Sequence, residues 1–555
     1  MNIPIVVFSI MAMVGVWAAY DRDSAWAKFW LVLGGIFLFF TLAQQAQDNL
    51  WIIISLLSCF GLILAAYLMF TYDWLTQPAD LAIINRIGLW WIRIRPTLLL
   101  TPLQPNMAGG LIAMLIPPCI ALGINVWNKR RMWTILVIFV IVFLSLSLLM
   151  TSSRSAWFAL LVSLGMWLLW GISGHLANWS KQSRAMYFIV VAFIAGVIGL
   201  SYSMTHPGRL LSIANTIPGA ASAESRFEIF RNTLKLISDF PITGGGLHAF
   251  SGLYSQYLLI IPFFIFDYAH NLYLDVAVEQ GLLGLLGILS IHIGSIWLIL
   301  AHLRNHDYAQ IPHNPLVIAL FASLIVMAVH GFFDDPLYGG RGTPLLFVIP
   351  GLVMATTQPY QDEYRDHALV KGDNKIKRPY HIKWLPIAIA VITIIVAFFI
   401  FRNTLLSAWY ANLGAVAMAR VELVGWPTGQ WEDETNVPKL ATAERLFNQS
   451  MTYEADNRTA QNRLGLIALL NRDFTTAISH LESAYQVDNN HRGVIKNLGY
   501  SYTWAGQFDK ADKMLVNIPE SQQEMSVYIW WWDTQGRSDL SSNAQIMVSR
   551  LERDQ

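Results

Sequence analysis

Residues 224–246 read ESRFEIFRNTLKLISDFPITGGG, and residues 267–284 read DYAHNLYLDVAVEQGLLG. Both stretches lie in or at the end of a polar-rich loop, residues 205–279, which separates two strongly apolar parts of the chain. The loop contains arginines, carboxylates, a run of three glycines and His270, which are groups that membrane spans rarely contain. It is therefore either the functional centre of the chain or a solvated surface loop on a transporter-like bundle.

A helix is predicted in the first of these stretches. If it begins near Glu224, the residues Arg226, Phe230 and Leu234 share one face, because they are spaced four apart. Pro241 and the glycines that follow it should end the helix and let the backbone approach another group closely.

Composition predicts an integral membrane protein. The 555 residues are 55% hydrophobic and 13% charged, with a mean hydropathy of +0.45. A net charge of +1 argues against nucleic acid as a partner. Cys59 and Cys119 both lie in apolar runs, so neither a disulfide framework nor a thiolate metal site is expected. The first apolar segment, residues 3–19, lacks a basic flank and a cleavage site, and we interpret it as a retained helix.

About eleven stretches are apolar and long enough to span a bilayer. They are residues 3–20, 25–44, 50–72, 106–127, 132–150, 154–172, 186–204, 280–303, 314–333, 343–358 and 383–401. The sequence therefore predicts an all-α fold, a polytopic helical bundle of about eleven spans. We expect residues 1–360 to form the membrane core, and residues 361–401 to form a basic cytoplasmic linker and the last span.

Lysines and arginines concentrate in alternate connections, which predicts that these connections face the cytoplasm. They are residues 128–131, 181–184, 304 and 365–383. The opposite, outer side would then hold residues 73–105, 151–154, 205–279, 334–341 and everything after 402. Within residues 73–105, the tryptophan-rich centre at 89–92 suggests an interfacial segment whose neighbouring arginines contact lipid phosphates.

The region 402–555 is less apolar and contains an internal repeat. Four pairs of residues share an offset of 34, namely Gly465 and Gly499, Phe474 and Phe508, Ala477 and Ala511, and Leu481 and Leu515. One unit earlier, Ala443 and Phe447 take the positions of Ala477 and Leu481. This period and pattern are typical of tetratricopeptide helix pairs, which form an α-solenoid. Such a domain either binds a peptide or protein partner or acts as a rigid stalk or cap.

Two groups of arginines are candidate anion ligands. Arg154 lies in a short turn, residues 151–155, whose hydroxyl side chains add hydrogen-bond donors around a fixed cation. The alternative is that Arg154 only anchors a helix end at the interface. Arg226, with Arg231 further along the predicted helix, supplies two more fixed cations on the same side.

His270 is the candidate general base, since Asp267, Asn271 and Asp275 lie close enough in sequence to orient its ring. A structural role at a helix start is the alternative. Three other histidines on the outer side, His206, His248 and His330, are weaker candidates. Asp334 and Asp335 precede a proline, which is typical of turn residues, although they can also bind a cation. The sequence has no metal-binding, P-loop or paired-carboxylate motif, so metal-dependent and nucleotide hydrolysis are not expected.

Four short passages together resemble the O-antigen ligase and polymerase superfamily of bacterial membrane glycosyltransferases. They are QPNMAGG at 104–110, TSSRSA at 151–156, SRFEIF at 225–230 leading to FPITGGG at 240–246, and AHNLYL at 269–274 followed by EQGLLG at 279–284. The order and spacing of the passages match across residues 1–360, and a tetratricopeptide tail is common in the family. Gln104 stands where the family often has histidine, and the glycine run often holds a bulkier residue.

The resemblance implies transfer of a glycan from an undecaprenyl-diphosphate carrier to an acceptor hydroxyl, with no cofactor or metal. Arg154 and Arg226 would bind the diphosphate, His270 would activate the acceptor, and Arg231, Asn271 and Asn106 would contact substrate. Expected partners are this lipid-linked donor, a glycan, glycolipid or protein acceptor, membrane lipid, and a protein bound by the C-terminal domain.

The acceptor is left open, since ligases, polymerases and protein O-oligosaccharyltransferases share this donor chemistry. A transporter of the same lipid-linked glycan is a more distant alternative. It would be expected to carry charges within its spans and repeated hydropathy patterns. A membrane scaffold that acts through its C-terminal domain is a third alternative. It leaves Arg154, Arg226 and His270 without a role.

Overall fold

A computed structural model describes residues 1–175, 220–305, 314–357, 398–428 and 434–553, apart from residues 80, 99, 128, 130, 262–264 and 336. Every regular element in these ranges is a helix, so the predicted all-α fold is confirmed. The predicted span 186–204, nearly all of the span 383–401, and the basic connections 181–184 and 365–383 lie outside the described residues.

Seven helices are described in residues 1–175, before the loop. They are α1 (Asn2–Ala18), α2 (Arg22–Ala43), α3 (Gln47–Thr71), α4 (Ala82–Ile94), α5 (Pro105–Val126), α6 (Arg131–Met150) and α7 (Arg154–His175). The loop contributes α8 (Ala220–Ile237), α9 (Phe250–Tyr254) and a π-helical turn, Ser255–Leu259. After it come α10 (Leu272–Asn305), α11 (Asn314–Gly331), a 3-10 turn (Thr343–Phe347) and α12 (Val348–Thr357).

Within the described residues, five helices are long and apolar enough to cross a membrane, and four shorter helices are similarly apolar. These nine helices (5 + 4) coincide with nine of the predicted spans. α4 contains residues 89–92, which the sequence predicts to be interfacial. Its Trp90 is exposed, while Trp91 donates a hydrogen bond to the carbonyl of Met69. The Arg95 guanidinium donates to the same carbonyl at 2.8 Å, so it binds the end of α3 where a lipid phosphate was expected.

The span predicted at 280–303 begins earlier, at Leu272. Asn271 causes this, because its side-chain oxygen accepts hydrogen bonds from the backbone N–H groups of Tyr273 and Leu274, as a helix N-cap does. The helix then kinks at Gly281, whose φ is 69°. The straight geometry of the helix is lost there, so the polar start of α10 is set apart from its apolar remainder.

The glycine run at 244–246 packs against this kink. The N–H of Gly245 donates to the carbonyl of Val278 at 2.7 Å, and the N–H of Leu282 donates to the carbonyl of Pro241 at 2.9 Å. A Cβ on Gly244 would lie 2.3 Å from the carbonyl oxygen of Glu279. The close approach predicted for these glycines is therefore to the backbone of α10.

The described part of the C-terminal region contains four helix pairs, with a 3-10 turn (Glu434–Leu440) inside the first pair. They are α13 (Arg402–Glu422) with α14 (Ala441–Tyr453), α15 (Arg458–Leu470) with α16 (Phe474–Val487), α17 (Arg492–Trp504) with α18 (Phe508–Leu515), and α19 (Ser521–Thr534) with α20 (Ser538–Leu551). In the second pair a Cβ on Gly465 would lie 2.6 Å from Leu481, and in the third Gly499 meets Leu515 at the same distance. The repeat predicted from the offset of 34 is confirmed by this shared packing.

The first pair extends the repeat beyond what the sequence showed. A Cβ on Gly414 would lie 2.6 Å from the Phe447 ring, so Phe447 takes the place of Leu481, as predicted. Gly414 and Phe447 are 33 residues apart (447 − 414), whereas Gly465 and Leu481 in the second pair are 16 residues apart (481 − 465). The spacing is longer because residues 423–440 are inserted between the two helices of the first pair.

The C-terminal domain packs on the loop. Asp239 is buried between Arg458, at 2.5 Å, and Arg463, at 2.7 Å. The side-chain oxygen of Asn412 accepts hydrogen bonds from the backbone N–H groups of Ile242 and Thr243. The loop and the C-terminal domain therefore share one side of the membrane bundle, which the predicted topology requires.

Candidate active site

The four sequence motifs meet at one short segment, His330–Asp335, which includes the last two residues of α11 and the turn after it. A Cβ on Gly110 would lie 2.6 Å from the ring of His330, so this glycine allows α5 to touch the segment. The hydroxyl of Ser155, at the start of α7, is 3.3 Å from Nε2 of His330. The first two motifs, QPNMAGG and TSSRSA, are thereby joined through one histidine.

The other two motifs bind the backbone of the same segment. Nδ2 of Asn271 donates to the carbonyl of Phe332 at 3.0 Å. Nη1 of Arg226 donates to the carbonyl of Phe333 at 2.6 Å. Residues far apart in sequence are thus gathered at one end of the helical bundle, on the side that carries the loop.

Asp334 lies at the centre of this arrangement and is completely buried. One of its carboxylate oxygens is 3.4 Å from Nδ1 of His270, and the other is 3.5 Å from Nη2 of Arg226. Burial opposes ionisation, but the hydrogen bond with His270 and the charges of His270 and Arg226 outweigh it and hold the pKa of Asp334 below its usual value. Asp334 is therefore an anion at neutral pH.

His270 is held in an unusual backbone conformation, with φ of 54°. Such a conformation is uncommon for residues other than glycine and marks a site where the surroundings impose it. The ring of Tyr268 packs against the imidazole, with centroids 4.5 Å apart. The side chain is 24% exposed, and no other described residue hydrogen-bonds its Nε2, which leaves that nitrogen available to a substrate.

The acid that orients His270 differs from those predicted. Asp267 is exposed, and Asp275 instead accepts a hydrogen bond from the backbone N–H of Ala269 at 2.7 Å. Asp334, predicted to be a turn residue, takes the role expected of Asp267 or Asp275. Its partners lie 64 and 108 residues away in sequence, so local spacing could not reveal it.

Asp335 supports the turn that carries Asp334. Its carboxylate accepts a hydrogen bond from the backbone N–H of Tyr338 at 2.6 Å. Burial raises the pKa of Asp335 to about 6, although the positive charge of Lys28 acts in the opposite direction. This residue is therefore structural, as the prediction of a turn requires.

Arg154 is exposed and is the first residue of α7. The next residue, Ser155, contacts His330, and the Phe158 ring lies 5.8 Å from the ring of Phe333. The helix start that carries Arg154 is thus beside the segment that Arg226 binds. The two arginines predicted to act together lie at the same end of the bundle.

Arg231 and Asn106, which were also predicted to contact substrate, lie in other surroundings. Arg231 is exposed and follows Arg226 by five residues, which places it about 140° around the helix. Its charge acts on Tyr254, in a cluster with Arg492, so the structure does not bring it to Asp334. Asn106 is partly buried at the start of α5, where Gln104 caps the helix by accepting a hydrogen bond from the N–H of Met107.

The other histidines also separate. His330 belongs to the site, as described above, whereas His206 lies outside the described residues. His248 is exposed and shares the left-handed backbone of His270, with φ of 61°. Among the described residues, no group of three His, Cys, Asp or Glu side chains is placed to hold a metal ion.

One buried ion pair beside the site was not predicted. Lys28, in α2, is 2.7 Å from Glu279 at the kink of α10, and both side chains are almost fully buried. The Lys28 ammonium also lies 3.8 Å from the centre of the Tyr338 ring. A charged pair is therefore buried where the predicted span 25–44 meets α10, at the end nearest the loop.

Two family models match parts of the chain. A family model described as O-antigen ligase matches residues 139–289. The predicted family resemblance is confirmed. The matched range contains Arg154, Arg226 and His270, and a tetratricopeptide-repeat model matches residues 468–528. The comparison with curated proteins gave no match, and the comparison with solved structures gave none either.

Proposed function

We propose that this multi-pass membrane protein transfers a glycan from an undecaprenyl-diphosphate carrier to an acceptor hydroxyl. The observation that carries the proposal is the buried Asp334 carboxylate shared by His270 and Arg226. It places a histidine of fixed orientation next to a fixed cation at one end of the bundle. The O-antigen ligase match over residues 139–289 supports the same reaction class.

His270 acts as the general base. Asp334 accepts a hydrogen bond from Nδ1–H, so the lone pair of the neutral imidazole is on Nε2, which faces away from the carboxylate. Nε2 removes the proton of the acceptor hydroxyl as the acceptor oxygen bonds to the anomeric carbon. The bond from that carbon to the phosphate oxygen breaks on the opposite face, so the configuration inverts. A positioned base contributes about 10²–10⁴-fold.

Arg226 and Arg154 stabilise the leaving diphosphate. A guanidinium has five N–H donors, and Arg226 uses one for the carbonyl of Phe333 and one for Asp334. The other donors remain for phosphate oxygens, which a guanidinium binds in a bidentate way. Two fixed cations neutralise the developing charge without a metal ion.

The site faces the outer side of the inner membrane in this proposal. The alternation of basic connections supports it, as does the packing of the C-terminal domain on the loop. Single cysteines introduced at Asn490 and Gln44, both exposed and on opposite sides in this topology, test it. In intact cells an impermeant maleimide should label the cysteine at 490 only; labelling at 44 only would reverse the topology and exclude the mechanism.

A transfer assay with purified protein, lipid-linked glycan donor and a candidate acceptor tests the chemistry. His270→Asn should remove most transfer, while His248→Asn serves as the matched control, because both histidines have left-handed backbones that asparagine tolerates. Arg226→Lys and Arg154→Lys should each impair transfer strongly, since lysine keeps the charge but loses the bidentate fork. A folded, fully active His270→Asn variant would refute the base, and loss of wild-type transfer in EDTA would refute the metal-free reaction.

The acceptor distinguishes an O-antigen ligase from a polysaccharide polymerase or a protein O-oligosaccharyltransferase. We favour the ligase reaction, which attaches the glycan to lipopolysaccharide, because the family model that matches is described as O-antigen ligase. Glycans recovered from lipid carrier, lipopolysaccharide and protein of a deletion strain decide this. Under the ligase reaction, the deletion strain should lose glycan from lipopolysaccharide and accumulate it on the carrier. If glycan is lost only from protein, the acceptor is protein; if only the length of the polysaccharide falls, the acceptor is the growing polysaccharide.

A further inference from the structure

A half-open cavity of about 100 Å³ lies between the C-terminal domain and the loop, away from His270 and Arg226. Its wall in the C-terminal domain is aromatic and includes Trp504, Tyr528 and Trp531. Its other wall includes Gln256 and Ile260, from the part of the loop that leads on to His270. The cavity is thus formed by two regions that the fold brings together.

The aromatic wall is rigid. The ring of Trp504 meets those of Tyr528 and Trp532 edge to face, with centroids 5.1 and 5.4 Å apart. Edge-to-face packing fixes the orientation of each ring before any ligand arrives. The loop side is held by Lys496, which donates a hydrogen bond to the carbonyl of Leu259. A ligand would therefore meet a preformed surface.

Polar groups without partners interrupt this wall. Within the described residues, Nδ2 of Asn497, Oε1 of Gln256 and Nε1 of Trp532 are buried and make no hydrogen bond. Burying such a group without a partner is unfavourable, so a ligand that pairs with it gains affinity. Glu422, which also lines the cavity, accepts a hydrogen bond from Tyr257 with one oxygen. The wall thus offers both donors and acceptors beside flat aromatic faces.

We propose that this cavity binds one sugar unit of a saccharide. A pyranose ring presents C–H groups on its faces, which pack on aromatic rings, and hydroxyls around its edge, which both donate and accept hydrogen bonds. The aromatic side chain of a peptide would fill the apolar part but leave most of the amide and indole groups unpaired. This inference rests on the proposed function in one respect, the source of the saccharide. We take it to be the glycan that the protein transfers on the same side of the membrane.

Saturation-transfer NMR and calorimetry with the full-length protein in detergent test the proposal. The probe is the oligosaccharide released by mild acid from the lipid-linked glycan of the native host. Trp531→Ala should weaken binding roughly tenfold, because the ring is lost from the wall. Trp530→Ala is the matched control, since the neighbouring Trp530 is exposed and does not line the cavity, and its affinity should not change.

Trp531→Phe keeps a ring in the cavity and provides a second, milder variant, with binding weakened about threefold. Binding that is absent, or equal in Trp531→Ala and Trp530→Ala, overturns the proposal, as does a tryptophan-containing peptide that binds the cavity where the oligosaccharide does not. His270→Asn should bind the oligosaccharide with wild-type affinity. If that variant proves active, the proposed base is wrong, but the binding result stands independently.

Discussion

Replacing Lys28 by methionine should destabilise the protein more than any other single change at the buried end of α2. Lys28 and Glu279 form an ion pair of 2.7 Å, with side chains that are 8% and 4% exposed. The charge of Lys28 also acts on the buried carboxyls of Asp275 and Asp335. Without it, the carboxyls of Glu279, Asp275 and Asp335 lie in the protein interior, and no other cation of the described residues acts on Asp275 or Asp335.

The size of the effect follows from this geometry. At 2.7 Å and an effective dielectric constant of about 20, the attraction is about 6 kcal/mol, which offsets a desolvation penalty of several kcal/mol per ion. Removing one partner of such a pair costs about 3–5 kcal/mol, because the other charge stays buried. Glu279→Gln should cost less than Lys28→Met, since the lysine keeps Tyr338 and Asp335 as partners.

A double-mutant cycle measures this coupling. Lys28→Met, Glu279→Gln and the double variant are purified in one detergent, and their thermal unfolding is followed by circular dichroism. The double variant should recover most of the loss caused by Lys28→Met, because a well-packed neutral pair no longer leaves a buried charge. Equal melting temperatures for wild type and Lys28→Met, or strictly additive losses in the double variant, would refute the reasoning.

Three further changes are expected to have distinct effects. Asp334→Asn should lower the transfer rate about 10²–10⁴-fold, because an amide no longer fixes the tautomer of His270. Binding of the donor should be retained. Steady-state kinetics and a separate binding measurement test both expectations. Burial raises the pKa of Asp239, but the charges of Arg458 and Arg463 outweigh burial and hold this pKa well below the usual value. The ionised Asp239 therefore stabilises the protein fully above about pH 4, and this stabilisation is lost as the pH falls further. Limited proteolysis should cut the loop faster at low pH in wild type, whereas Asp239→Asn, which is already loosened, should show no such pH dependence. Gly246→Ala should abolish folding, since φ is 116° and the new Cβ would lie 2.3 Å from Ala19. Gly34→Ala should be tolerated, because no atom lies within 4 Å of its Cβ position. The two variants are compared by the yield of monodisperse protein.

The helical bundle and the repeat were predictable because their signals are local. Long apolar runs specify spans, and nine of the eleven predicted spans coincide with apolar helices. An offset of 34 specifies tetratricopeptide pairs wherever the connection between helices keeps its length. Where residues 423–440 lengthen that connection, Gly414 no longer falls in register, and the first helix of the unit could not be recognised.

The candidate site was predictable only in part, since its centre is not local. His270 and Arg226 were found from their motifs, but Asp334 looked like a turn residue because an acid pair before a proline is typical of turns. Lys28 was missed for a related reason. A single lysine in an apolar run usually reaches the interface, and only the fold shows that Glu279 lies opposite it.

α8 connects the candidate active site to the C-terminal domain. Near its start, Arg226 binds the segment that carries Asp334, and just beyond its end Asp239 is buried among the arginines of the C-terminal domain. The helix has 18 residues and is about 27 Å long, so it transmits the position of one end to the other. Because Asp239 is completely buried, movement of the C-terminal domain would displace Arg226 or break an ion pair in the interior. Under the proposed mechanism the domain would therefore hold Arg226 in place, as the rigid cap considered from the sequence would, and any partner that it binds would act on the same helix.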